Sequence, residues 1–280
     1  THYAGTSTKE LFPEWRQDID KYGLSGFTTS TGDELPWYFG TYSAVCVPMV
    51  LVLHFLDLPA IYAFVLTNIF VYILALYLVY KKAPISDAKK LLLLIMLIIN
   101  PVVFYFSWIS AEVFICSCVI LTMLFWSRNE YKKAAIAVSI ASTLNPAILA
   151  LAIVMILDFL ADLFRQKTMK SFKDIRACFK RNSESLFLYG CCYVIALIPF
   201  IYNYSQVGSI NLTAALPRFR DSTGTLPRFL AYLFDLNFGF LPYFSLLFLL
   251  FLLLIPFAVI YKKTRYILIT IGFFGTVAIY

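Results

Sequence analysis

Long apolar runs alternate with short charged stretches along most of this chain. A helix rises about 1.5 Å per residue, so crossing about 30 Å of hydrocarbon takes roughly 20 apolar residues. The runs of this kind are Ala60 to Tyr80, Leu91 to Trp108, Val113 to Trp126, Ala134 to Leu163, Leu186 to Tyr204, Tyr243 to Tyr261 and Tyr266 to Tyr280. The fourth is too long for one span and is interrupted at Asn145-Pro146. Proline removes a backbone donor and crowds the preceding turn, so two shorter helices are expected there, forming a hairpin that returns to its starting side. The pattern predicts an all-α, polytopic transmembrane helical bundle with one membrane domain.

The charged stretches orient it. Seventeen of the 23 basic residues fall in four loops, at 81–90, 128–133, 165–181 and 262–265. The predicted spans put all four loops on one face, which the positive-inside rule makes cytoplasmic. Most of the +7 net charge is then a topological signal. Residues 1–36 and 205–242 become external loops, flanking membrane helices over 60–204 and followed by more over 243–280. The run Trp37 to Leu56 is expected to be re-entrant or interfacial. A full crossing would carry the acidic 1–36 segment to the cytoplasmic face, and Pro48, His54, Asp57 and the aromatic Trp37, Tyr38 and Tyr42 suit an interface.

Composition excludes most other classes. At 61% hydrophobic and 14% charged, the chain holds more apolar surface than one soluble core can hide. Disordered, collagen-like, solenoid and nucleic-acid-binding readings fail on the same numbers, and no nucleic-acid partner is expected. No CxxC, HExxH, GxxxxGK or GxGxxG occurs, so no cofactor is identified. The expected first partner is the lipid bilayer.

Few residues offer chemistry. Glu112 stands at the external junction of two apolar helices, where a carboxylate is costly enough to indicate function, although a helix amino end also favours a negative charge. Asn100-Pro101 and Asn145-Pro146 either mark helix ends or frame one external cavity with Glu112. Arg218, Arg220 and Arg228 are the basic residues of the second external loop. They form either a surface helix paired with Asp221 and Asp235 or a clamp for lipid phosphate, whose oxygens match the guanidinium fork. Asp33-Glu34 is either a solvated pair, a general base, or a seat for a divalent cation.

The stretch Asn100-Pro101-Val102-Val103-Phe104-Tyr105-Phe106-Ser107-Trp108-Ile109-Ser110-Ala111-Glu112-Val113-Phe114 resembles the motif segment of GT-C membrane glycosyltransferases, nearest the mannosyltransferase type and its bacterial relatives. Tyr232 to Tyr243, with Phe234-Asp235 and Gly239-Phe240-Leu241-Pro242-Tyr243, is similar to the external approach to a later span in bacterial members. The resemblance implies transfer of a sugar from a polyprenyl-phosphate donor to a glycan, lipid or protein acceptor, in a bacterial plasma membrane. It implies phosphate contacts from Arg218, Arg220 and Arg228, and a cavity shaped by Glu112, Asn100, Asn145 and Asp235. In such enzymes the catalytic Asp precedes a His-aromatic pair. If His2-Tyr3 is that pair, the base lies upstream of Thr1, and Asp33 and Glu34 are the substitutes within this chain, which is then a piece of a longer protein, inactive alone. Ala111 in place of a hydroxyl residue and Leu144-Asn145-Pro146 at the hairpin turn depart from the family pattern. The alternative is a transporter or flippase for a lipid-linked or small anionic substrate, using the same broken helices and Glu112.

Overall fold

The computed structural model describes residues 26–28, 34–36, 40–99, 101–107, 111–145, 148–165 and 182–207. They are predominantly helical. A short antiparallel pair, β1 (Gly26–Thr28) and β2 (Glu34–Pro36), sets Phe27 opposite Leu35. The helices are α1 (Thr41–Phe55), α2 (Tyr62–Lys82), α3 (Asp87–Ile98), α4 (Glu112–Ser127), α5 (Tyr131–Leu144), α6 (Leu149–Arg165) and α7 (Ser183–Val207).

Two of these, α2 and α7, are long and apolar enough to cross a membrane. At 21 and 25 residues they measure roughly 31 and 37 Å. Helix α1 has 15 residues, roughly 22 Å, and carries Pro48 inside it. Its Tyr42, Cys46 and Leu53 are buried, whereas Leu51, Val52 and Phe55 are exposed, the last at 87%.

The apolar run Leu91 to Trp108 is not one helix. Helix α3 ends at Ile98 and a 3₁₀ segment, Pro101–Ser107, follows. Pro101 has no N–H to continue the ladder, and the residue before a proline is pushed out of the α region. The interruption leaves α3 too short to match α2. Tyr72 in α2 donates to the Leu97 carbonyl at 2.6 Å, and its ring meets Phe106 edge-on at 5.3 Å, so the broken segment is packed against the middle of α2. The run Ala134 to Leu163 divides as expected into α5 and α6, with Asn145 in extended backbone at the end of α5.

Helix α5 occupies the middle of the assembly, against α1, α4, α6 and α7. Its small residues explain this position: Ala134, Ala135, Ala141 and Ser142 have no exposed surface. Side chains of one or two heavy atoms let several helix axes approach at once. Three buried hydroxyls are satisfied within their own helices, Ser117 donating to Val113, Thr122 to Cys118 and Ser142 to Val138, at 2.7–2.8 Å.

The two ends of the assembly differ in chemistry. At one, Arg128 donates to the Lys82 carbonyl at 2.8 Å and pairs with Glu130, Lys133 pairs with Glu130 at 2.6 Å, and Lys132 pairs with Glu184 at 2.8 Å. These contacts draw the end of α2, the α4–α5 turn and the start of α7 into one basic rim. Lys133 and Arg128 hold the Glu130 carboxyl down to about 2, well below the ordinary carboxylate range. A depressed folded value means that the ion pairs stabilise the fold above about pH 4.5 and lose that contribution as pH falls towards 2. The group is solvent-screened, so the expected effect is at most about 1 kcal/mol. Thermal unfolding of wild type and Glu130→Gln should differ at pH 7 and converge near pH 2.

Candidate functional site

The opposite end gathers the first turns of α1, α2 and α4. Tyr42, on the first turn of α1, donates to the Phe64 carbonyl at 3.1 Å and packs its ring on Phe64 and Phe114, with centroids 5.6 and 5.7 Å away. Its hydroxyl also contacts the side chains of Cys46 and Asn68 and lies in electrostatic range of Glu112. Cys46 stands next to Thr67. Helix α1 therefore meets the first two turns of α2 and the first turn of α4 through Tyr42 and Cys46. Because those residues share one stripe of α1 with Leu53, burying the stripe directs the opposite apolar face outward.

Glu112 is the first residue of α4. A carboxylate there is favoured by the unsatisfied N–H groups of the helix start, and its Oε2 is shielded from solvent. Asn68, fully buried on α2, supplies an amide that can donate or accept. Around the Tyr42 phenol the chain thus sets the Asn68 amide and, in electrostatic range, the Glu112 carboxylate, with Phe64 and Phe114 packed on the Tyr42 ring. Such a group can accept a proton from, or orient, a polar ligand entering from that end. Among the described residues, no three His, Cys, Asp or Glu side chains come together as a metal site would require.

The other sequence candidates are placed as follows. Asn145 ends α5, and α5 starts at the basic rim, so Asn145 lies at the Glu112 end. Glu34 begins β2. Asp33, Asn100, Arg218, Arg220, Arg228 and Asp235 lie outside the described residues. The structure brings Glu112 within electrostatic range of Tyr42, which lies against Cys46 and Asn68, three residues that sequence reasoning did not single out as site residues. Asn68 had a usable signal, since it is an amide inside the apolar run Ala60 to Tyr80. Tyr42 had none, being one aromatic among several at the start of its run.

A second polar centre also escaped notice. Asp158, on α6, is 2% exposed and accepts hydrogen bonds from Trp126 Nε1 at 2.6 Å and Tyr131 Oη at 3.0 Å, both on its Oδ2. The rule that marks Glu112 as costly applies equally to an aspartate inside the run Ala134 to Leu163.

The chain matches no family model, no curated protein and no solved structure.

Proposed function

We propose that this chain belongs to a multi-pass membrane glycosyltransferase of the GT-C type, transferring a sugar from a polyprenyl-phosphate donor at the external face. The observation that carries the reading is the Glu112 cluster: a half-buried carboxylate with one shielded oxygen, near Tyr42, which itself lies against Asn68, at the end opposite the basic rim. By the positive-inside rule the rim faces the cytoplasm and the Glu112 end faces outward. The segment resembling the glycosyltransferase motif, residues 100–114, leads directly into this cluster. Helix α1, short and with Phe55, Val52 and Leu51 exposed, suits a segment lying in the outer interface rather than crossing.

In this mechanism a carboxylate takes the proton of the acceptor hydroxyl as it attacks the anomeric carbon, and the departing lipid phosphate is held by cations. Glu112, with Asn68 and Asn145, shapes the cavity. Arg218, Arg220 and Arg228 contact the phosphate. Within this chain Asp33 and Glu34 are the candidates for the base. The bacterial plasma membrane is the proposed location.

The test uses the complete protein reconstituted in vesicles with a lipid-linked sugar. Alanine at Arg218, Arg220 and Arg228 is expected to lower transfer by about 10²-fold each, the scale lost when a group stabilising developing charge is removed, and Glu112→Gln, which alters the cavity, is expected to lower it as well. Unchanged transfer in all four variants overturns the assignment of roles. The break between α3 and α4 beside the half-buried Glu112 is also what a transporter's discontinuous helix provides. Movement of the lipid-linked substrate between leaflets without glycosyl transfer decides for that second reading.

A further inference from the structure

Asp158 performs no step in the proposed reaction and lies towards the basic end, away from Glu112. Burying a carboxylate in an apolar run is unfavourable unless its acceptor capacity is used. Here two donors from two other helices converge on one oxygen. Their positions in the chain are informative. Trp126 is on the last turn of α4 and Tyr131 is the first residue of α5, so they bracket the turn that contains Arg128 and Glu130. One carboxylate on α6 thereby holds both sides of that turn. Tyr131 stacks edge-on against Phe159 at 5.2 Å, and Phe159 against Tyr189 of α7 at 4.7 Å, closing the site from water and extending the contact to a fourth helix.

We infer that Asp158 is the pin of the basic end: by accepting from Trp126 and Tyr131 it fixes the α4–α5 turn on α6 and so sets where Arg128 and Lys133 stand in the rim. Arg128 reaches the Lys82 carbonyl of α2 from this turn, and Lys133 reaches Glu130. A turn released from α6 loses the alignment that both contacts need. The device depends on an acceptor at position 158 and on the two donors, and it is independent of which reaction the protein performs.

Hydrogen exchange of the complete protein in detergent or nanodiscs tests it, with residues 127–134 as the reporter and residues 62–71, at the far end of α2, as the reference. Asp158→Leu should speed exchange in the reporter by about tenfold or more, the scale of losing a hydrogen bond to a charged group, and leave the reference unchanged. Asp158→Asn keeps a carbonyl acceptor without the charge and should fall between Asp158→Leu and wild type. Trp126→Phe and Tyr131→Phe each remove one donor and should each give a partial increase, which keeps the test valid if Asp158→Leu does not fold. Equal acceleration of reporter and reference in every variant, or no acceleration in the two single-donor variants, overturns the inference.

Discussion

Replacing Trp126 by alanine is expected to destabilise the fold by about 3–5 kcal/mol, the range for truncating a buried Trp or Phe. Trp126 is 1% exposed and belongs to the main apolar cluster, with Phe114, Tyr131, Met155 and Phe159. Two losses add at this position. The indole leaves a cavity that surrounding helices fill only in part, and Asp158 loses its shorter hydrogen bond, 2.6 Å, in a site that water does not reach. Thermal unfolding in detergent measures the sum. Trp126→Phe separates the parts, because it keeps most of the ring and removes only the N–H. A Tm for the alanine variant no lower than for the phenylalanine variant would show that packing at this site contributes little.

Ala141→Leu is the second large effect. Ala141 has no exposed surface and sits on α5, which has neighbouring helices on several sides. Three added carbons have no space to enter, so α5 must shift against its neighbours, at a cost of about 1–3 kcal/mol or more. Ile136→Leu, on the same helix at a position 45% exposed, supplies the control and should stay within about 0.5 kcal/mol. The contrast is measured by comparing the two midpoints at one detergent concentration. Equal midpoints would mean that the small residues of α5 do not set the helix spacing.

Much of the helical layout is legible in the residues. The apolar runs beginning at Ala60, Val113 and Leu186 become α2, α4 and α7 within a few residues. Proline marks two of the breaks, at Pro101 and after Asn145, because a missing N–H and a crowded preceding turn act locally. The length of α3 was not legible. Leu91 to Trp108 has the composition of a continuous span, and only the packing of its Leu97 and Phe106 on Tyr72 of α2 shows how the interrupted backbone is accommodated.

Site residues divide in the same way. Glu112 announces itself as an acid among apolar residues, and its place at the start of α4 follows from local chemistry. Its neighbours Tyr42 and Asn68 are 70 and 44 positions away in the chain, and nothing local records that separation. The Asp158 centre is similar: Asp158 carries the same signal of an acid in an apolar run, but Trp126 and Tyr131 carry none, and the three acquire meaning when their helices meet.

The order of apolar and charged residues by itself determined that the described residues are predominantly helical, where most of their helices start and stop, and that the basic residues cluster in a few short loops. Those properties depend on backbone geometry and water avoidance over a few turns. Tertiary structure decided that Arg128 and Lys132 tie the end of α2 and the start of α7 into one rim, that Tyr42 of α1 lies in electrostatic range of Glu112, and that Trp126 and Tyr131 both donate to Asp158. Such pairings are set by which helices pack side by side, and packing is chosen by the fit of all the side chains together rather than by any one segment.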